Sequence, residues 1–206
     1  MTHDGYPAVG LTREFAEDSV AGEEDGTVAG QSEITFGLLD GAQAAVLADE
    51  LQALRAEVCA GDSAPFADRF RVLRRQPGFV LAEAQHGGYL VGYALGMPLR
   101  PSTSWWRQLT TPLPDEVTTE HPGRTFALVE LLVRPAWRRQ GIAGALHDLI
   151  LEHRPEERAT LTLRPTAGPA QQAFRKWGWR KVARTRDDGP GSPVSDVLIT
   201  SLPAGR

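Results

Sequence analysis

FALVELLVRPAWRRQGIAGALHDLILEH, residues 126–153, decides the reading of this chain. Residues 126–133 are the most strand-like run in the sequence. Pro135 ends the ladder, two arginines follow, and Gly141, Ala143 and Gly144 open a helix over 142–153. In that helix Ile142, Leu146, Leu149, Ile150 and His153 recur near one face. A further strand follows at 159–164, which makes a β-α-β crossover and so implies parallel pairing of the two strands.

Outward from this unit the periodicities predict a short strand at 34–40 and a helix at 41–60 carrying Val46, Leu47, Leu51, Leu54 and Val58. A second helix is expected at 64–75, stopped by Pro77-Gly78. Two β-prone runs, 79–84 and 89–98, flank His86-Gly87-Gly88 and read as an antiparallel hairpin. Residues 99–124, with four prolines and Trp105-Trp106, read as a long loop. A helix at 167–177 and closing strands at 179–185 and 194–202, around the turn DDGPGSP, complete the chain.

The chain has 206 residues, 41% of them hydrophobic and 23% charged, which suits one soluble domain. No apolar run reaches the roughly 18 residues of a membrane helix, and no secretory signal is visible. Cys59 is the single cysteine, which excludes an internal disulfide and a multi-cysteine metal site, and cytoplasm is the expected compartment. Its expected place is a small core position. Residues 1–33 hold eight acids against Arg13, a net of −7, which leaves +3 for the rest of a chain whose total is −4. The acidic head is expected to be disordered or loosely packed, with a single domain over 34–206. Neither charge is extreme enough to imply nucleic acid.

The chemistry concentrates after the strand at 126–133. First-turn N–H groups of a helix lack helical acceptors, and the helix dipole adds partial positive charge there. Small residues let a ligand approach that backbone, and Arg138 and Arg139 add formal charge, so the expectation is a phosphate-binding turn. The pattern is neither a P-loop nor a dinucleotide fingerprint. The alternative is a helix that simply begins at Gly beside solvated arginines.

Val133-x-Pro135-x-x-Arg138-x-x-Gly141-x-Ala143 resembles the acyl-CoA motif of the GNAT N-acetyltransferases, Gln/Arg-x-x-Gly-x-Gly/Ala after a strand. Downstream, Ala170-Gln-Gln-Ala-Phe174-Arg-Lys176-Trp-Gly178-Trp179 is similar to the family's Ala-x-x-x-Tyr-x-Lys-x-Gly-Phe. The two motifs stand in the family's order, with a helix and a strand between them. The resemblance spans about residues 34–202. It implies an α/β fold: a twisted, mixed and mostly antiparallel sheet of six to seven strands, about four flanking helices and a central β-α-β crossover.

It also implies roles. The main-chain N–H groups from Arg139 through Gln140, Gly141, Ile142 and Ala143 to Gly144 would cradle the CoA pyrophosphate, with Arg138 and Arg139 beside it. Leu132 and Val133 would pair with the pantetheine arm as an added strand, and an N–H there would polarise the thioester carbonyl. Glu130, which interrupts an apolar strand where a carboxylate is costly, would be the general base for the attacking amine. The alternative for Glu130 is a solvent-facing carboxylate or one paired to a nearby Arg. Phe174 stands where the family's Tyr protonates the departing thiolate, so another group (Tyr89, Tyr93 or water) would have to act. The family's frequent Asn near the second motif is replaced at about Ala167. Trp105, Trp106 and Tyr93 are candidate acceptor-site residues, whereas Trp177, Trp179 and His147 read as packing residues. No His or carboxylate spacing suggests a metal.

The resulting expectation is an acetyl-CoA-dependent transferase acting on a small primary amine. The alternatives are a non-catalytic acyl-CoA-binding module and a protein lysine or N-terminal acetyltransferase whose loop 99–124 binds an extended peptide. A homodimer is compatible with the family, but no residue argues for it.

Overall fold

The computed structural model describes residues 33–59, 66–186 and 194–203. The acidic head up to residue 32 and the DDGPGSP turn lie outside the described residues. Seven strands form one sheet: β1 (Ile34–Leu39), β2 (Val80–His86), β3 (Tyr89–Pro98), β4 (Thr125–Val133), β5 (Arg158–Leu163), β6 (Arg180–Arg186) and β7 (Val194–Ser201). Their order is β1-β2-β3-β4-β5-β7-β6, so the last strand inserts between the two before it. Every neighbouring pair is antiparallel except β4 and β5, the crossover pair.

Among the described residues five helices flank the sheet: α1 (Ala48–Val58), α2 (Phe66–Leu73), α3 (Asp115–Thr118), α4 (Ile142–Leu151) and α5 (Gly168–Lys176). That is one more than expected, because α3 falls inside the stretch read as loop. The first helix also begins later than predicted. Asp40 Oδ1 accepts the N–H groups of Ala42 and Gln43 (2.8 Å each), and residues 43–47 form a 3-10 turn. The tighter winding of that turn moves Val46 off the apolar stripe, and Val46 is 82% exposed. At the other end of the crossover, α4 stops at Leu151, and His153 takes a left-handed φ of 58°, outside the helix and in solvent.

The periodicity of α4 sets its orientation. Ile142, Leu146 and Ile150, spaced four apart, pack with Phe126, Leu128 and Val133 and with Phe174 of α5 on one face of the sheet. On the opposite face, Leu51 and Leu54 of α1 and Phe66 and Phe70 of α2 cover Leu81, Tyr93 and Leu95. The remainder of that face is covered by the stretch after β3, where Leu99 and Trp106 pack on Ala127, Val197 and Ile199.

This stretch is pinned by one buried carboxylate. Glu120 Oε1 accepts from Trp106 Nε1 (2.9 Å), Thr125 Oγ1 (2.9 Å) and Arg158 Nη2 (3.0 Å). Gln108–Thr110 then run along the outer edge of β6, where Arg186 N donates to Gln108 O and Thr110 N to Arg184 O. The sheet edge is thereby closed by the chain's own backbone. A loop by composition is thus a packed element by contact.

β4 carries a bulge. Leu95 faces Glu130 while Gly96 faces Leu128, which leaves Val129 as the extra residue. A Cβ on Gly96 would lie 2.5 Å from Ala127 O, so only glycine lets β3 pass this close. Because of the bulge, the spacing of residues facing α4 changes from two (Phe126, Leu128) to three (Leu131).

His147 is buried where α4 meets α5 and β6. Trp179 Nε1 donates to its Nε2 (2.9 Å), so Nε2 is unprotonated and Nδ1 carries the proton facing Asp148 Oδ1 (2.9 Å). Its ring stacks on Trp177 at 4.5 Å. Burial lowers its pKa, against the opposing pull of Asp148. The folded pKa therefore lies below the unfolded one, so this stability is present above about pH 6.5 and is lost as pH falls through the folded value. Urea unfolding should accordingly weaken more steeply between pH 7 and 5 in the wild type than in His147→Gln, which cannot titrate. Parallel curves for the two proteins would show that His147 contributes nothing to the pH dependence.

Candidate functional site

The parallel pairing of β4 with β5 covers only Thr125–Arg158, Phe126–Ala159 and Ala127–Thr160. Beyond Ala127, β4 has no partner on its β5 side among the described residues. Six residues in the middle of the sheet thus present an open edge. The ladder to β3 decides which of them offer polar groups to it. Arg134 N donates to Val91 O (2.9 Å), and paired and unpaired positions alternate along an antiparallel ladder. Leu132, opposite Tyr93, is therefore turned to β3, and Val133, opposite Gly92, to the open edge. Of the two residues expected to meet an extended ligand, Val133 is the one so oriented.

At the end of β4 a short 3-10 turn, Pro135–Trp137, leads to the turn before α4. Arg139 (φ 66°) and Gly141 (φ 77°) are both left-handed, and Gly141 is the N-cap of α4 with no side-chain cap. A Cβ at Gly141 would meet nothing within 4 Å, so the first turn of the helix is open to approach. Arg138, Arg139 and Gln140 are exposed, Ala143 and Gly144 half-buried, and Ile142 buried beneath the helix. Arg138 Nε donates to Val133 O (3.2 Å), which ties the first arginine to the strand end, while Gln140 Nε2 donates to Ala136 O (3.3 Å). Together these residues form a polar, cationic turn around uncapped N–H groups. That suits a pyrophosphate. An extended amide chain suits the open edge beside it.

Glu130 lies on β4 directly after the bulge. Its Oε1 accepts from Arg55 Nε of α1 (3.0 Å), and its Oε2 accepts from the Tyr93 hydroxyl of β3 (2.6 Å). The Glu130 side chain keeps 15% exposure, against 7% for Arg55. Glu130 is thus paired with an arginine and with a phenol. Tyr93 has no exposed surface, so it cannot touch an acceptor itself. Burial first, and then the charge of Glu130, push the phenol's pKa far above its ordinary value and hold it as a proton donor to Glu130.

Trp106 is buried in the packing described above, and one side of it lines a cleft with Thr103, Arg107 and Leu113. Trp105 is half-buried beside it. Phe174 is buried among His147, Trp177 and Trp179, with ring centroids 5.2–6.3 Å apart. Cys59 is half-buried at the end of α1.

Two residues around the site had escaped sequence reasoning. Arg55 is one. Arg134 is the other: buried after β4, it donates through Nε to Leu90 O (2.8 Å), pairs with Glu57 of α1 and stacks on Tyr89 at 4.5 Å. The one available signal was an arginine or glutamate recurring in a helix otherwise judged by its apolar stripe.

The family model of the GNAT acetyltransferases matches residues 45–179. The chain belongs to the GNAT acetyltransferase family. As a GNAT enzyme it is an N-acetyltransferase whose acyl donor is acetyl-CoA and whose reaction needs no metal. Solved structures with the same fold include the ribosomal-protein-S18-alanine N-acetyltransferase of Escherichia coli, at 12% identity and a TM-score of 0.60, covering 82% of this chain and 94% of that one. Aminoglycoside 6'-acetyltransferase type Ii matches at 15% identity and 0.59, covering 82% and 97%. Arabidopsis thaliana NAA60 in complex with acetyl-CoA matches at 15% identity and 0.61, covering 82% and 100%. No curated protein matches the sequence. Among the described residues no helix of this GNAT enzyme is long and apolar enough to cross a membrane, and no group of three His, Cys, Asp or Glu could hold a metal.

Gly141→Ala tests the turn. An L-residue in the left-handed region costs about 1–2 kcal/mol, so the variant should unfold at lower urea and bind CoA more weakly by calorimetry. Unchanged CoA affinity would separate the turn from the ligand.

Proposed function

We propose that this enzyme transfers an acetyl group from acetyl-CoA to a primary amine of a small molecule by direct attack, with Glu130 as general base. One observation carries the reading: a partly exposed carboxylate, held by two side chains, stands on the strand whose neighbouring edge is open. The main-chain N–H groups from Arg139 to Gly144 receive the pyrophosphate, Arg138 and Arg139 flank it, and Val133 meets the pantetheine arm.

An ammonium is no nucleophile, so its proton must leave first. Glu130 has lone pairs beyond the two that Arg55 and Tyr93 engage, and takes that proton through a water. The amine nitrogen then bonds to the acetyl carbon, gives up its second proton to water, and the C–S bond breaks. An N–H on the open edge stabilises the oxyanion as it develops. CoA departs as a thiolate and takes its proton from water, because Phe174 has none to give and the hydroxyl of Tyr93 is engaged by Glu130.

A small acceptor is favoured over an extended peptide by the stretch 99–124. Its Trp106 is buried, and Gln108–Thr110 pair with β6, so it does not offer a free peptide-binding loop.

Glu130→Gln should lower kcat about 100-fold at pH 7 and leave the CoA affinity unchanged, measured as thiol release over a panel of amines and peptides. Full kcat across pH 6–9 would remove Glu130 as the base. A preference for peptides over free amines would remove the small-molecule acceptor.

A further inference from the structure

The geometry points to Tyr93 and Arg55 as positioning residues that fix the orientation of Glu130 during acyl transfer. The inference rests on Glu130 being the base and goes one step deeper, to what makes it one.

Three elements meet at this carboxylate. Arg55 comes from α1 and is buried against the ring of Phe66 at 5.7 Å. Tyr93 comes from β3 and is packed among Leu51, Leu54 and Leu95. Glu130 comes from β4 just past the bulge. Each carboxylate oxygen receives one donor, at 3.0 Å and 2.6 Å, so the plane of the carboxylate cannot rotate without breaking a hydrogen bond. Its remaining lone pairs are thereby kept in one orientation, and 15% of the side chain stays exposed. A base that takes a proton through water gains from such restraint, because the water must be met at one place.

The two donors differ in kind: Arg55 is a guanidinium and Tyr93 a phenol. The other titratable groups facing this cluster are Cys59 at the end of α1, which interacts electrostatically with Tyr93, and Glu83 of β2, the cross-strand partner of Tyr93. Glu83 is half-buried and takes its hydrogen bond from Gln85 Nε2 (2.8 Å). Among the described residues Arg55 thus supplies the positive charge in direct contact with Glu130, and Tyr93 the neutral donor.

The measurement is kcat, with KM for the amine, at saturating acetyl-CoA in single and double variants. Tyr93→Phe removes a single oxygen and Arg55→Gln the guanidinium; each should lower kcat roughly tenfold and leave KM and CoA affinity unchanged, with Arg55→Lys restoring part of the loss. In a Glu130→Gln background Tyr93→Phe should cost nothing further. A role confined to packing would cost as much there as in the wild type, which would overturn the inference. Should Arg55→Gln fail to fold, Tyr93→Phe decides alone. If Glu130→Gln lowers kcat while Tyr93→Phe does not, the positioning role falls and the base stands. If Glu130→Gln leaves kcat unchanged, both fall.

Discussion

Three residues of parallel pairing between β4 and β5, and then none, set the form of this molecule. The two halves of the sheet share Thr125–Ala127 with Arg158–Thr160 and separate beyond them. An open strand edge in mid-sheet would ordinarily close, because unpaired N–H and C=O groups seek partners. Here the base of the wedge is pinned from outside the ladder. Glu120 accepts from Thr125 and Arg158, which are the first β4–β5 pair, and from Trp106 of the covering stretch. The bulge at Val129 adds local twist to β4 just above that base. The edge is then free to serve an extended ligand, and the turn that follows β4 stands at its outer end.

The second determinant is the attachment of α1 to β4. It is made twice: by Arg55 on Glu130 within the strand, and by Glu57 on Arg134 just after it. Ion pairs taken partly out of water add little net stability, yet removing one partner leaves a charge that is costly to keep there. Their effect is therefore on geometry. They fix the helix at two points along the strand and place the carboxylate beside the open edge.

Much of this was legible in the chain, unevenly and for identifiable reasons. The turn after β4 could be read because its chemistry is local: a proline, two arginines and small residues at a helix start. Glu130 stood out because a carboxylate is costly in an apolar run, and pairing with an arginine was one of its possible readings. Which arginine was illegible, because Arg55 lies 75 residues away on a different element. Val46 and His153 were misplaced on apolar faces because periodicity presumes a regular helix, and both sit where the winding changes. Tyr93 was sought at the acceptor, whereas its ring is sealed in the core and reaches the site through one hydroxyl.

By itself, then, the sequence determined the main strands and helices, the crossover, the GNAT motifs and the cationic, glycine-containing turn before α4, because each depends on residues close together along the chain. The tertiary structure alone decided that the strand order ends β5-β7-β6, that residues 99–124 are a packed cover, and that Glu130 is held from α1 and β3. These depend on contacts between distant segments, where packing and desolvation outweigh local propensity.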